Sequence, residues 1–266
     1  MIYAKDKANP LPDPPPYSIP QPSGGSDRNS VPLYAIENMQ VNKHFVTDIP
    51  VRGSSLRGLG AYGNVFAIES FMDELAQSSG SDPFEFRARH LEDPRALEVL
   101  NRLKKAVHWG ERPKPATGTG WGLAFARFKN LSSYLGIVMQ LQIEPETRGI
   151  KLIRATAVCD AGLVVNPDGL KAQIEGGIIQ SSSWTLKEQV EFSTRARESH
   201  DWNSYPILRF DEVPEVDVIL IDRPDEKSLG VGETAQGPTA AAIANGIFHA
   251  TGKRLRQLPF TPDRFG

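Results

Sequence analysis

Cysteine is nearly absent from this 266-residue chain. The single Cys159 excludes an internal disulfide framework, and it excludes any multi-cysteine iron–sulfur or zinc site built by this chain alone. The five histidines, His44, His90, His108, His200 and His249, fall into no H-E-x-x-H or other paired spacing, so a histidine metal site is disfavoured. No apolar run reaches membrane-spanning length, and residues 1–5 lack an apolar signal region. The expected location is cytoplasmic, or periplasmic if a targeting segment lies upstream. Charge of one sign is also lacking: 30 basic residues against 32 acidic ones give a formal net of −2 and no basic surplus for nucleic acid. Three common signatures are missing as well. The G-x-G-x-x-G dinucleotide spacing fails at Ala235, no Gly-Lys-Ser/Thr phosphate loop follows, and no Gly-x-Ser-x-Gly elbow occurs.

Glycine and proline, by contrast, are placed with some regularity. Near the C-terminus runs Ser228-Leu229-Gly230-Val231-Gly232-Glu233-Thr234-Ala235-Gln236-Gly237-Pro238, followed by small residues. Glycine permits positive φ or close backbone approach, and proline suits the first position of a helix. The expected local structure is strand, tight loop and helix start, with Glu233 projecting from the loop. Read from the loop alone, Glu233 is more simply a capping or solvent-facing residue than a catalytic one. A second glycine-spaced loop, Ser54-Ser55-Leu56-Arg57-Gly58-Leu59-Gly60, precedes an amphipathic helix over about 64–77, where Val65, Ile68, Met72 and Leu75 recur at helical steps. N–H groups at a helix start beside Arg57 form a candidate anion cradle. The plainer alternative is that Arg57 pairs with a carboxylate.

Elsewhere the pattern predicts structure more than chemistry. Residues 1–32 read as a proline-rich arm or linker, and residues 33–36 and 44–47 have short β-like runs. Asp82-Pro83 and Asp93-Pro94 each read as an N-cap followed by a first helical residue. Residues 122–128, 134–144 and 150–158 read as three strands of an antiparallel meander, with a hairpin turn at 144–149. A helix is expected from Pro167 to about Glu191, kinked or broken at Ser181, Ser182 and Ser183. Asp160, Glu175 and Glu188 are expected to be structural. A strand over 213–221 then leads toward the Glu233 loop, and a final helix covers about 238–251. This order predicts an α+β fold of largely antiparallel sheet and packed helices in two lobes. The first lobe would span 33–115 with the Arg-Gly-Leu-Gly loop, and the second 116–266 with the meander, the long helix and the Gly-Val-Gly-Glu loop.

Several of these blocks together resemble a known family. Gly-Val-Gly-Glu-Thr at 230–234, Gly-Pro-Thr-Ala-Ala-Ala at 237–242, Leu-Pro-Phe-Thr-Pro at 258–262 and Arg-Gly-Leu-Gly at 57–60 occur in the order found in the molybdenum-binding large subunit of the xanthine dehydrogenase and aldehyde oxidase family. The resemblance is to its C-terminal part and is nearest the isoquinoline 1-oxidoreductase and nicotinate dehydrogenase branch. It implies a molybdopterin-dependent oxidoreductase that hydroxylates an N-heteroaromatic or aldehyde substrate, with water as the oxygen source. Glu233 would be the general base, and Arg57 would orient substrate or transition state. Ser55, Leu56, Arg57, Gly58, Gly60, Gly230, Val231 and Gly232 would lie at the molybdenum cofactor, in its cytosine dinucleotide form, with no protein side chain ligating the metal. Leu59 stands where the family has an aromatic residue. The family's Gly-Gln-Gly and Thr/Ser-rich cofactor segments are absent, so the chain is expected to be incomplete alone. It would need a [2Fe–2S] small subunit and a chain supplying the rest of the cofactor site. The alternative is a non-catalytic fragment or assembly module of the same fold.

Overall fold

The computed structural model describes residues 25–44, 55–111 and 117–265. Most of the proline-rich arm, the end of the 44–47 run and the start of the first glycine-spaced loop therefore lie outside the described residues. Within those residues, five α-helices and four strands follow in the order α1 (Ala61–Ser78), α2 (Pro83–Arg89), α3 (Pro94–Ala106), β1 (Thr119–Arg127), β2 (Tyr134–Ile143), β3 (Ile150–Asp160), α4 (Pro167–Leu186), β4 (Glu215–Ile221) and α5 (Gln236–Thr251).

The helix starts follow local chemistry. Asp82 accepts hydrogen bonds from the Phe84 and Glu85 N–H groups, and Asp93 accepts from that of Arg95. Asn166 does the same for Gly169. Each precedes a proline whose missing N–H costs nothing in the first turn. Three expectations fail here. Helix α4 runs unbroken through Ser181, Ser182 and Ser183 and ends at Leu186. Two of these serines are used in packing: Ser181 Oγ donates to the Gln236 carbonyl at 2.6 Å, and Ser183 Oγ accepts from Leu208 N–H at 3.0 Å. Pro238 is the third residue of α5 rather than the first. The position is tolerated because the first four N–H groups of a helix lack intrahelical partners. Residues 33–36 form no strand. Instead, Ala35 N–H donates to the His90 carbonyl, and Tyr34 buries its ring and donates from its hydroxyl to Glu69.

The sheet has the order β1-β2-β3-β4. The first three strands form the expected antiparallel meander, and β4 returns parallel to β3 after the α4 crossover. Alternation along the strands splits the apolar residues between two cores. Leu135, Ile137, Met139 and Leu141 face α4 and α5 with Ile174, Ile178 and Ile243. Val138, Leu123 and Phe125 face the other side, with Val99, Leu100, Leu103 and Phe84 of α2 and α3. The result is α+β: helices on both faces of a mixed sheet.

Helix α5 lies close against β1. A Cβ at Gly122 would fall 1.9 Å from the Ala242 carbonyl oxygen and 2.2 Å from the Gly246 nitrogen, so backbone meets backbone there. The outer edge of β1 is occupied by side chains. Trp121 N–H donates to His249 Nδ1, Asn245 Nδ2 donates to the Leu123 carbonyl, and Phe125 N–H donates to Glu69. These contacts take up groups that would otherwise template another strand. Glu69 is fully buried and also accepts from Arg87 Nε at 2.8 Å and from Tyr34.

Candidate functional site

Three segments far apart in sequence converge: the loop 55–60 before α1, the α4 turn around Gln173 to Gly177, and the loop 230–236 before α5. The Gly58 N–H donates to Glu233 Oε1 at 3.0 Å. In return, Arg57 Nε donates to the Gly232 carbonyl, and Arg57 Nη2 reaches the Gln173 carbonyl at 2.9 Å and Gln173 Oε1 at 3.1 Å. Gly58 has φ +91, and a Cβ there would also press on Gln236. Both facts require glycine. A Cβ at Gly60 would fall 2.2 Å from the Ser26 carbonyl oxygen, because residues 25–28 cross directly over the loop. At Gly177 a Cβ would meet Ala235 at 2.9 Å and Arg57 at 3.6 Å. The paired glycines Gly176-Gly177 therefore admit the arginine and the Glu233 loop together.

The Glu233 loop is anchored from below. Ser133 Oγ donates to the Gly230 carbonyl at 2.8 Å and lies 2.5 Å from Thr234 Oγ1. Gln236, with its amide oriented to satisfy both ends, donates to the Glu233 carbonyl at 3.2 Å and accepts from Arg57 Nε at 3.0 Å. Upstream, the loop is held by Leu229 N–H donating to the Ala161 carbonyl at 2.8 Å. The connection from β4 is longer than the tight loop expected: residues 222–235 separate the strand from α5.

Arg28 is a part of the site that sequence reasoning missed. Its Nη1 lies 3.6 Å from Glu233 Oε2, with only 13% of the arginine side chain exposed against 34% for the glutamate. The two carboxylate oxygens of Glu233 thus face the Gly58 N–H and the Arg28 guanidinium. Asn64 secures this segment by donating to the Ser26 and Arg28 carbonyls, each at 2.9 Å. Gln173, Gln236 and Ser133 were missed too. No local pattern marks them, since each acts on a partner distant in sequence. Burial draws the Arg57 guanidinium below its ordinary range, and the neighbouring Glu233 opposes that pull.

Arg57, Glu233, Gly58 and Gly232 are brought together as described. Val231 is buried, while Ser55, Gly230 and Gly232 are more open to solvent. Leu56, which is exposed, lines a cavity of about 350 Å³ beside Arg57, together with Leu59, Tyr62, Trp184, Glu188 and Tyr205. Asp160, expected to be structural, is buried between Arg95 and Arg223. Among the described residues no three His, Cys, Asp or Glu side chains converge as metal ligands. The polar groups of the site are backbone amides, the guanidiniums of Arg28 and Arg57, and the Glu233 carboxylate. They fit a group that brings its metal with it, and a Cβ at Gly230 would meet nothing within 4 Å, which leaves room there.

Comparison with known proteins identifies the architecture. Residues 67–214 match one family model described as "Molybdopterin cofactor-binding domain", and residues 25–91 match another with the same description. A nicotinate dehydrogenase subunit of Pseudomonas putida is 41% identical over 251 residues, covering 90% of this chain and 21% of that protein. The beta subunit of isoquinoline 1-oxidoreductase from Brevundimonas diminuta is 31% identical, covering 90% and 30% respectively. The chain thus spans less than a third of the length of either relative. Among solved structures, quinoline 2-oxidoreductase from Pseudomonas putida 86 superposes with a TM-score of 0.70 at 14% identity, over 79% of this chain and 52% of that one. The aldehyde oxidoreductase of Desulfovibrio gigas gives 0.70 at 16%, over 81% and 41%. The chain belongs to the molybdopterin cofactor-binding family of the xanthine dehydrogenase type, near its nicotinate dehydrogenase and isoquinoline 1-oxidoreductase branches.

Proposed function

We propose that this chain forms the base-bearing part of a molybdenum-dependent hydroxylase acting on an N-heteroaromatic or aldehyde carbon. The observation that carries the reading is the juxtaposition of Glu233 and Arg57 on two interlocked loops beside a cavity of about 350 Å³. In the overall reaction R–H and water give R–OH, two protons and two electrons. The bound molybdopterin cofactor, in its cytosine dinucleotide form, supplies the two-electron acceptor; the backbone at Ser55, Leu56, Gly230 and Gly232, with Gly58, Gly60 and Val231 behind it, would hold it.

Glu233 is the general base. Its carboxylate takes a proton from the oxygen nucleophile derived from water, while the Gly58 N–H and Arg28 fix its orientation. Fixed donors of this kind need no reorganisation during reaction. Arg57, already pinned by Gly232 and Gln173, turns a cationic edge toward the cavity and stabilises negative charge developing on the substrate. General-base assistance is typically worth about 10²–10⁴-fold in rate.

The electrons leave through a [2Fe–2S] partner subunit, since one cysteine cannot hold a cluster. A further chain completes the cofactor site. Apolar side chains left bare on the surface support such a partner: Phe210 is fully exposed, and Val165 and Trp202 are about three-quarters exposed at 74% and 73%. The test is molybdenum content and turnover of the complex purified with its partner subunits. Glu233→Gln is expected to retain stoichiometric molybdenum and lose about 10²–10⁴-fold in rate. Turnover unchanged in that variant, or a wild-type complex devoid of molybdenum, would refute the assignment.

A further inference from the structure

The cavity next to Arg57 has a composition that the base and the arginine do not account for. Its walls carry three aromatic rings from three separate segments: Tyr62 of α1, Trp184 of α4 and Tyr205 of the loop after α4. Tyr62 and Trp184 meet edge to face, with ring centroids 5.4 Å apart at 90°. Both tyrosines are held at their hydroxyls. The Tyr62 hydroxyl bonds Thr185 Oγ1 at 3.0 Å, and the Tyr205 hydroxyl donates to Glu188 Oε2 at 2.7 Å. Beyond Trp184, Phe260 N–H donates to the Thr185 carbonyl at 2.7 Å, which ties Leu258 and Pro259 into the cavity wall.

Among the described residues, two charged side chains line the cavity, Arg57 and Glu188. They sit at opposite ends of it. Arg57 lies against Gly176 and Gly177, whereas Glu188 follows the last turn of α4. At 1.5 Å per residue those positions are roughly 15 Å apart along the helix. Arg57 spends Nε and Nη2 on Gly232 and Gln173, so only part of its charge is left to face the cavity. Glu188 has no cationic partner among the described residues, and its carboxylate accepts from the neutral Tyr205 hydroxyl. Both phenols stay protonated, since burial pushes Tyr62 and Tyr205 up to about 12, with Glu188 adding to the effect in each case. The far end of the cavity is therefore a carboxylate among aromatic rings. That combination attracts organic cations through the ring quadrupoles and the fixed negative charge together.

We propose that this recess selects planar N-heteroaromatic substrates whose ring nitrogen is cationic, with the nitrogen toward Glu188 and the reacting edge toward Arg57 and Glu233. The inference rests on the hydroxylase reading for its chemistry but not for its binding. A positively charged ring is electron-poor and so suited to attack by an oxygen nucleophile, which gives the selection a chemical purpose. The cavity is of the size that takes a small ligand, typically about 300–1,000 Å³.

The test is equilibrium binding to the complex without turnover, by calorimetry, using three probes of similar shape: N-methylquinolinium, quinoline and 2-naphthoate. The cation is expected to bind about tenfold more tightly than the neutral ring, and the anion more weakly than either. Glu188→Gln should bring the cation down to the affinity of quinoline and leave quinoline unchanged. Trp184→Ala should weaken both cation and neutral ring. Tyr205→Phe keeps the carboxylate and ring, so the cation preference should survive in it and show that lost preference in Glu188→Gln is not misfolding. Naphthoate binding as tightly as the cation, no binding of any probe, or a cation preference untouched by Glu188→Gln would overturn the proposal. Molybdenum measured on the same sample separates the two readings. A molybdenum-loaded complex without cation preference refutes the recess alone, and a cation-selective complex without molybdenum refutes the hydroxylase alone.

Discussion

Replacing Asp160 with asparagine should be among the most damaging single-atom changes available in this protein. The carboxylate ends β3, is completely buried and accepts four hydrogen bonds: from Arg95 Nε at 3.0 Å and Nη2 at 2.5 Å, Arg223 Nε at 2.6 Å and Gly162 N–H at 3.0 Å. The asparagine would keep the shape, remove the negative charge and turn an amide N–H₂ toward guanidinium donors. Removing one partner of a buried ion pair costs about 3–5 kcal/mol. Arg95 and Arg223 retain Glu226 and Glu98, so the lower end, about 3 kcal/mol, is expected. For a chain of this size that corresponds to roughly 6–12 °C in Tm.

The pH dependence gives an independent check on the same substitution. Although burial alone would raise the Asp160 pKa, hydrogen bonds from Arg95, Arg223 and Gly162 hold it below the ordinary aspartate value. A carboxyl whose folded pKa is depressed contributes stability that is fully present above its unfolded pKa of about 3.9, and loses it as pH falls through the folded value. Glu74 and Glu212 are depressed too, but they lie outside this cluster and cancel in the difference between the two proteins. Urea unfolding followed by tryptophan fluorescence should therefore show the gap between wild type and Asp160→Asn widest at about pH 6–7 and narrowing below about pH 4. A neutral-pH gap under about 1 kcal/mol, the range of an exposed pair, would refute the reasoning. So would a gap that persists or grows in acid.

Two further substitutions and one labelling experiment test the packing. Gly122→Ala places a methyl 1.9 Å from a backbone oxygen of α5 and should destabilise by about 3 kcal/mol or more in urea unfolding, whereas Gly63→Ala in α1, with nothing within 4 Å, should stabilise by about 0.5–1 kcal/mol. Equal effects at the two positions would discredit the close α5–β1 contact. Burial, with Asp160 adding to it, pushes the Cys159 thiol up to about 12, so a disulfide reagent near neutral pH should leave the folded protein unlabelled and modify it fully in urea. Fast labelling of the native chain would show that this core face opens to solvent.

What can be read from the sequence divides by the range of the interaction. The Asp-Pro starts of α2 and α3 and the three-strand meander depend on near neighbours and are visible in spacing; of the apolar face expected on α1, Val65 and Met72 are buried whereas Leu75 is exposed and Glu69 is buried in its place. The serine triplet misleads because its local cost is offset by Gln236 and Leu208, partners 55 and 25 residues away. Residues 33–36 have strand-like composition, yet Tyr34 is drawn into the buried Glu69–Arg87 pair instead of into a ladder. At the site, Glu233 and Arg57 stand out because a family resemblance supplies what glycine spacing alone leaves open. Arg28, Gln173 and Gln236 carry no such mark. Glu188 reads as structural in the sequence, and only the surrounding aromatic rings show why its charge has a place in a cavity.

The reciprocal bonds between the two loops have a consequence for how the protein acquires its chemistry. Gly58 and Glu233 are 175 residues apart, and so are Arg57 and Gly232. Neither loop presents its charged side chain in a defined direction without the other, and the α4 glycines must already be docked between them. Contacts that close so long a stretch of chain have a heavy entropic toll until the intervening structure has formed. Orientation of the carboxylate therefore depends on sheet and helices being in place, and under the role proposed for Glu233 a chain without them would hold no competent site.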